Sequence, residues 1–139
     1  MRIYLDSNVF ISLMNREIGR GFRGLFIEAE AFFRKAKDER HTILLSDLFF
    51  TEVENNIYLS KEEIIAYIKN MGVTIEIIMP KSEHAIHIRE FMKRGLHRLD
   101  SMHAAFARLG KCNCIVTFNK KDFDKIKDLI PVFEPSDFF

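Results

Sequence analysis

Short apolar segments recur along this chain and alternate with longer stretches that have helical periodicity. Two of the clearest are residues 3–6, IYLD, and residues 114–117, CIVT. Parallel strands are short apolar runs because helices cover both faces of their sheet, and a helix usually connects one strand to the next. The alternation therefore predicts an α/β fold with three layers, in which helices flank a central parallel sheet of four to five strands.

Capping and turn residues place the elements within this pattern. We predict strands at residues 2–5, 42–45, 73–78, 114–117 and 131–133. The third is predicted to be an edge strand, because apolar and polar residues alternate at its start and Pro80 follows it. We predict helices at residues 9–14, 25–36, 60–71, 82–93 and 99–109. A further helix is predicted to start at residues 46–47 and to contain Glu52. Ser60 and Glu63 have the spacing of a capping box, and Gly72 marks the end of that helix.

Length and composition predict one compact domain spanning residues 1–139. The chain is 47% hydrophobic and contains 14 Phe residues, and a domain of this size buries roughly 68–70% of its unfolded surface, so it needs no disulfide or structural metal. Cys112 and Cys114 lie two positions apart on a predicted strand, which directs both side chains to one face and predicts a reduced pair. No apolar run is long enough for a signal peptide or a membrane span, so we expect a soluble, cytoplasmic protein.

Acidic residues and one amide lie where apolar segments give way to helices or loops. They are Asp6, Glu52, Asp100, Asn119 and Asp122. In a parallel sheet the carboxyl ends of the strands meet at one edge, where ligands bind. Carboxylates gathered there from distant parts of the chain are what a hard cation such as Mg²⁺ requires, whereas zinc favours Cys and His. The pattern indicates metal-dependent phosphate chemistry.

Four motifs carry a family resemblance. They are YLDSNVFI near the N-terminus, SDLFFTEV, LDSMHAAFA, and IVTFNKKDF followed by a closing PSDFF. In this order and spacing the set resembles a PIN domain over essentially the whole chain, and it looks most like the small single-domain members that include VapC-type toxins. The resemblance implies a sheet of strand order 3-2-1-4-5 and magnesium- or manganese-dependent cleavage of single-stranded RNA. It also implies an antitoxin partner and a homodimer.

The resemblance assigns the site by matching position. Asp6 follows the first strand, Glu52 lies in the third-helix segment, Asp100 opens the LDSMHAA helix and Asp122 lies in the KDF turn; these four form the predicted catalytic and metal-binding set. Asn119 stands where many members carry another acid, which leaves a second metal ion undecided. We predict that Asp6 and Asp100 bind the principal ion, that Glu52 binds it or orients water, and that Asp122 acts through water with help from Asn119.

Other polar residues are predicted to support this cluster. The resemblance places the Thr117 hydroxyl against the acids, and Ser7 and Asn8 are candidates because of their polar side chains. His103 lies one helical turn after Asp100 on the same face. We expect His103 to pack beside the site and hydrogen-bond to it, with metal binding or general-base catalysis as the alternative.

Each acid also has a purely structural interpretation. Asp6, Asp100 and Asp122 each lie near a predicted helix start, where a carboxylate can cap the helix. Glu52 can be one more exposed helix charge. A nonenzymatic PIN-like module that binds RNA or a protein remains an alternative because of Asn119, and so does a housekeeping role in RNA processing.

Other phosphate chemistries fit the residues less well. A phosphatase with an aspartyl nucleophile would carry a second Asp two positions after the first, where Asn8 stands. A phospho-receiver domain would carry an acid after its third strand, where Met79 and Pro80 stand.

Positive charge should guide the RNA backbone to the cluster, because phosphate contacts supply most sequence-independent affinity. The predicted RNA-binding residues flank the acids in sequence or lie in segment 15–24, which we expect to be a flexible basic connector. They are Arg16, Arg94, Arg98, Lys120 and Lys121, with Arg20, Arg23 and His97 as further candidates. Phe118 is a candidate for stacking on a base, with core packing as the default. Phe49, Phe50, Ile57 and Tyr58 either form a partner surface or pack in the core.

Overall fold

The computed structural model describes residues 1–17, 19 and 23–138, so that Arg20 lies outside the described part of the chain. The strands are β1 (Arg2–Leu5), β2 (Thr42–Ser46), β3 (Thr74–Ile78), β4 (Cys114–Val116) and β5 (Val132–Phe133). The helices are α1 (Ser7–Met14), α2 (Leu25–Asp38), α3 (Asp47–Ile57), α4 (Lys61–Asn70), α5 (His84–Lys93) and α6 (Arg98–Leu109). Short 3₁₀ helices span Lys120–Ile126 and Pro135–Phe138.

The five strands form one parallel sheet of order β3-β2-β1-β4-β5. The fold class, the strand order and the position of β3 at an edge are therefore confirmed. The order reverses at β1, because the chain adds β2 and β3 on one side of it and β4 and β5 on the other. Ligands bind at such a reversal in parallel sheets, beyond the carboxyl ends of the strands.

Successive side chains of the inner strands enter different hydrophobic cores. Ile3 and Leu5 belong to a core shared with α1 to α4, whereas Tyr4 belongs to a second core shared with α5, α6 and the first 3₁₀ helix. This follows from the two-residue period of a strand, which directs neighbouring side chains to opposite faces of the sheet. Both faces of these inner strands are covered, which explains why β1, β2 and β4 are almost continuously apolar.

Local signals set the ends of several helices. The Ser60 hydroxyl accepts from the Glu63 N–H at 3.2 Å, and the Glu63 carboxylate accepts from the Ser60 N–H at 3.1 Å, so the predicted capping box is confirmed. Gly72 and Gly95 follow α4 and α5 with φ values of 83° and 102°, in the left-handed region that stops a helix. Among the described residues, no helix is long and apolar enough to cross a membrane.

Two expectations about apolar residues need correction. Both cysteines are free, as predicted, but β4 begins at Cys114, so Cys112 lies outside the strand and the two side chains enter different cores. The strand period therefore does not apply between them. Phe49 and Phe50 are 0% and 3% exposed, so the partner-surface interpretation is wrong for these two rings, and α3 uses them to pack on the sheet.

Candidate functional site

Polar residues from three neighbouring strands meet at the carboxyl edge of the sheet. Asp6 follows β1, Ser46 ends β2 and Thr117 follows β4. The parallel register brings these positions together, since Leu5 pairs with Val116 and the N–H of Asp6 donates to the Val116 carbonyl at 3.0 Å. The reversal of strand order at β1 thus lies at Asp6.

Asp6 is buried, at 8% exposure, and its side chain is held from the β4 side. The Thr117 hydroxyl donates to Oδ2 of Asp6 at 2.7 Å. Asp6 occupies the position before α1 at which a capping residue would stand, yet its carboxylate accepts no hydrogen bond from the helix. The capping interpretation of Asp6 is therefore wrong.

Glu52 lies on α3 and reaches the same edge. Its Oε1 accepts from Nε2 of His103 at 2.7 Å and from the Ser7 hydroxyl at 3.0 Å. Burial favours a raised pKa for Glu52, but the hydrogen bonds and charge of His103, together with Ser7, outweigh it and lower the pKa. Glu52 is thus an ionised carboxylate with two fixed donors, which differs from an ordinary exposed helix charge.

His103 on α6 is 3% exposed and stands between two carboxylates. Besides Glu52, its Nε2 lies 3.7 Å from Oδ1 of Asp6. Burial alone would lower the pKa of His103, but the hydrogen bond to Glu52 and the charges of Asp6, Glu52 and Asp100 raise it. The expectation that His103 packs beside the acids and hydrogen-bonds to them agrees with this geometry.

Asp100 and Asp122 add negative charge beside Asp6. Burial raises the pKa of Asp100, and the charges of Asp122 and Asp6 raise it further. Asp100 is the third residue of α6, whose capping position is occupied by His97, and neither the Asp100 nor the Asp122 carboxylate accepts a hydrogen bond from the described residues. Their negative charge adds to that of Asp6 and favours a cation as the partner of this set.

A network around Thr117 includes the other predicted supporting residues. Oγ1 of Thr117 accepts from Nδ2 of Asn8 at 3.2 Å and from the backbone N–H of Asn119 at 3.0 Å. Oδ1 of Asn8 accepts from the backbone N–H of Phe118 at 3.2 Å. Asn119 therefore contacts the network through its backbone, which any residue at that position could do.

The donor set fits a hard divalent cation. Ligand atoms of Asp6, Glu52 and His103 lie within 4.8 Å of one another. One oxygen of each carboxylate is committed, Oδ2 of Asp6 to Thr117 and Oε1 of Glu52 to His103 and Ser7, while within the described residues Oδ1 and Oε2 accept no hydrogen bond. Mg²⁺ is held by one or two such carboxylate oxygens together with water.

The comparison with protein families agrees with this architecture. The model of the PIN domain matches residues 3–129. This chain belongs to the PIN domain family. No curated protein matches it significantly in a sequence search.

Solved structures give the same fold for this PIN domain. One similar structure is a toxin-antitoxin complex from Klebsiella pneumoniae, with a TM-score of 0.64, 22% identity, and coverage of 96% of this chain and 97% of that one. Another is VapBC-1 from nontypeable Haemophilus influenzae, with a TM-score of 0.65, 18% identity, and coverage of 98% and 99%.

The predicted RNA-binding residues occupy different places on the PIN domain. Arg98, Lys120 and Lys121 are exposed and lie in the first turns of the helices that carry Asp100 and Asp122. Arg94 is held by both carboxylate oxygens of Asp128, at 3.2 and 3.0 Å.

The remaining arginine candidates are engaged elsewhere. Arg23 pairs with Glu28 and Glu134, and its guanidinium lies over the half-buried ring of Phe118. Arg16 follows the far end of α1 and lies over the ring of Phe26. Positive charge near the acids thus comes from the first turn of α6 and from the 3₁₀ helix.

Sequence reasoning missed Tyr4 and Ser46. The Tyr4 hydroxyl lies 2.8 Å from Oγ of Ser46 and 2.6 Å from Nδ1 of His103, and burial raises its pKa well above the usual value. The available signal was a single hydroxyl within an otherwise apolar strand, two residues before an acid. The strand period directs Tyr4 into the core that contains α6.

Proposed function

We propose that this PIN domain is a magnesium- or manganese-dependent endoribonuclease that hydrolyses single-stranded RNA, and that it is the toxin of a toxin-antitoxin pair. The observation that carries the proposal is the pair of carboxylates, Asp6 and Glu52, each with one oxygen fixed and the other without a hydrogen bond from the described part of the chain. Asp100 and Asp122 would complete the acidic set, and the proposal is supported by the pKa of Asp100, which the charges of Asp122 and Asp6 raise.

The chain's own residues would prepare the reaction by holding and orienting. A bound divalent ion supplies a water of lowered pKa and neutralises charge on the phosphate. Asp6 and Asp100 would bind that ion, Glu52 would bind it or orient the attacking water, and Asp122 would act through a water molecule. Thr117, Ser7 and His103 would keep Asp6 and Glu52 in place, and no side-chain nucleophile is required.

Single-stranded RNA is the proposed substrate because of charge and access. Arg98, Lys120 and Lys121 are exposed beside the acids and can contact successive phosphates without reading sequence. Asp100 and Asp122 are more exposed than Asp6, so that the acidic cluster is open on the side where these cations lie. A flexible single strand can bring its backbone to such an edge more readily than a stiff duplex.

The proposed setting is a toxin and its antitoxin, with the toxin forming a homodimer. Two solved structures that resemble this chain across nearly their whole length are a toxin-antitoxin complex and VapBC-1. Tyr58, which is 92% exposed at the end of α3, is one apolar surface residue available to a partner.

The experiment is cleavage of a labelled single-stranded RNA by the purified protein with Mg²⁺, Mn²⁺ or EDTA. Asp6→Asn and Asp100→Asn are compared with the wild type. The matched control is Asp124→Asn, since Asp124 is exposed on the 3₁₀ helix near Asp122 and pairs with Lys127 at 3.0 Å. We expect cleavage that requires metal, is lost in the first two variants and persists in the control.

Other results would reject the proposal in different ways. If the wild type binds RNA but cuts with neither metal, the protein is a nonenzymatic RNA-binding module. Full metal-dependent activity in Asp6→Asn would show that the catalytic residues have been assigned incorrectly. A single-stranded DNA of the same sequence tests the restriction to RNA.

A further inference from the structure

A series of hydrogen bonds, here called the circuit, starts at the first turn of α3 and returns to the same helix at Glu52. Ser46 accepts from the Phe49 N–H at 3.1 Å and so caps α3, the helix that carries Glu52. From Oγ of Ser46 the circuit passes to the Tyr4 hydroxyl at 2.8 Å, to Nδ1 of His103 at 2.6 Å, and from Nε2 of His103 to Glu52 at 2.7 Å. It thus leaves α3 at the cap and returns to the same helix at Glu52.

The Glu52 carboxylate fixes the direction of the hydrogen bond from His103. An ionised carboxylate only accepts, so Nε2 of His103 donates to Glu52. When the ring is neutral, Nδ1 accepts, which makes the Tyr4 hydroxyl its donor and the Ser46 hydroxyl the donor to Tyr4. When the ring is protonated, Nδ1 donates to the Tyr4 hydroxyl instead. In both states the position of the His103 ring is defined from both of its nitrogens.

The circuit connects the elements that carry the acids. Tyr4 lies on β1, two residues before Asp6, and His103 lies on α6, three residues after Asp100. Tyr4 and Ser46 are fully buried and His103 is 3% exposed, so water does not compete for these hydrogen bonds. The circuit therefore sets the position of α3 relative to β1 and α6.

We propose that Tyr4, Ser46 and His103 are positioning residues that hold Glu52 in the orientation in which its uncommitted oxygen binds the metal ion. This inference rests on the proposed function. His103 and Ser7 both bind Oε1 of Glu52, which leaves Oε2 available. Replacing a residue that fixes a metal ligand in this way typically lowers the metal affinity by about 10- to 100-fold.

The first test measures Mn²⁺ binding to the purified protein by electron paramagnetic resonance, without RNA. His103→Gln retains an N–H donor toward Glu52, whereas His103→Leu has none. Tyr4→Phe removes only the hydroxyl. We expect affinity to fall about 100-fold in His103→Leu and about 10-fold in Tyr4→Phe, with His103→Gln closer to the wild type than His103→Leu.

The matched control is Tyr67→Phe. Tyr67 is 41% exposed and its ring contacts Phe10 of α1, so Tyr67→Phe makes the same chemical change outside the circuit. Melting temperatures are measured alongside, and binding is compared below the melting range of every variant. An equal loss of affinity in Tyr67→Phe would mean that the effect is a general loss of packing, which would overturn the inference.

The second test observes the His103 nitrogens in the metal-free protein by long-range ¹H–¹⁵N NMR. Spectra are recorded at a pH at which the ring is neutral, where we expect the proton on Nε2, and a shift of the Nδ1 resonance in Tyr4→Phe because its donor is lost. Wild-type affinity in Tyr4→Phe and His103→Leu would overturn the inference while the nuclease proposal stands. A wild type that neither binds Mn²⁺ nor cuts RNA would reject the proposed function and this inference with it.

Discussion

The Thr117 hydroxyl donates a 2.7 Å hydrogen bond to Oδ2 of Asp6, joining the residues that follow β4 and β1. These strands are neighbours in the sheet although their residues are more than a hundred positions apart in the chain. The bond lies where the strand order reverses, and it fixes one oxygen of Asp6 while the other is uncommitted.

Replacing Thr117 by Val tests this relationship. Val has nearly the same shape without the hydroxyl, so the Asp6 carboxylate loses its hydrogen-bond donor and its side chain rotates more freely. We expect RNA cleavage and Mn²⁺ affinity to fall by about 10- to 100-fold, with a loss of about 1–3 kcal/mol in the free energy of unfolding because a buried acceptor is unsatisfied. Cleavage rates and urea unfolding measure the two effects. Thr74→Val on the exposed edge of β3 is the control, and an equal loss there would contradict the argument.

Neutralising Asp100 should separate metal binding from stability. Its pKa is raised by burial and by the charges of Asp122 and Asp6, so the ionised form destabilises the metal-free fold at neutral pH. Asp100→Asn should therefore stabilise the metal-free protein by about 0.5 kcal/mol, a value reduced for partial exposure. It should also abolish most of the rise in melting temperature that saturating Mn²⁺ gives the wild type.

Thermal unfolding with EDTA and with Mn²⁺ measures both effects. Asp124→Asn should change both very little, because Asp124 is exposed and its ion pair with Lys127 lies at the surface, where such pairs contribute little. A lower melting temperature for Asp100→Asn in EDTA would show that Asp100 makes a favourable contact in the metal-free fold.

The fold was predictable because the strand signal and the helix signal are both local. The apolar run within residues 2–5 predicts a buried strand, and the structure has β1 at Arg2–Leu5. The capping box at Ser60 and the helix end at Gly72 also depend on residues within a few positions of each other. The strand order, by contrast, came from the family resemblance.

The circuit through Tyr4 was not predictable in the same way. Its hydrogen bonds connect residues that are 42 and 99 positions apart, and nothing local distinguishes this Tyr from one that only packs. The separation of Cys112 from Cys114 into different cores was missed for a related reason. The start of β4 is set by pairing with β1, in which Ile3 lies opposite Cys114.

The two thiols should be slow to react in the native protein. Burial raises the pKa of both Cys112 and Cys114 to about 12, so almost none of either is thiolate at pH 8. We expect iodoacetamide to modify both within minutes in urea but at least tenfold more slowly without it, as followed by mass spectrometry. Rapid labelling of the native protein, or a mass two units low that indicates a disulfide, would contradict this.

Gly110 should be intolerant of a side chain because of packing. Its φ is −78°, which any residue adopts, but a Cβ there would overlap Cδ2 of Leu44, and Leu44 is only 1% exposed. Gly110→Ala should lower the free energy of unfolding by about 1–3 kcal/mol, the usual cost of overpacking. Urea unfolding measures it, and Gly19→Ala is the control, because a Cβ there makes only ordinary contact with Leu25.

A second variant tests the cause of that loss. Leu44→Val shortens the side chain that the new methyl would meet. The double variant should lose less stability than the sum of the two single variants, because the residues are in contact. Strict additivity would show that the loss arises elsewhere, for example at the end of α6.

Salt dependence should distinguish the cations that contact RNA from those that do not. Arg98 and Lys121 are exposed beside the acids, and no described residue forms an ion pair with either of them. Replacing either with Gln should weaken RNA binding and reduce the slope of log affinity against log salt by about 0.7, the value for one phosphate contact on a single strand. Fluorescence anisotropy in EDTA measures binding without cleavage.

Arg16 and Arg94 supply the contrast in that experiment. Arg16 follows α1 at the end opposite Asp6, and Arg94 is already neutralised by Asp128 at 3.0 Å. Arg16→Gln should leave the slope unchanged, and Arg94→Gln should change it less than Arg98→Gln does. If Arg16→Gln lowered the slope as much as Lys121→Gln, the RNA would extend along α1, and the site would be longer than the edge formed by α6 and the 3₁₀ helix.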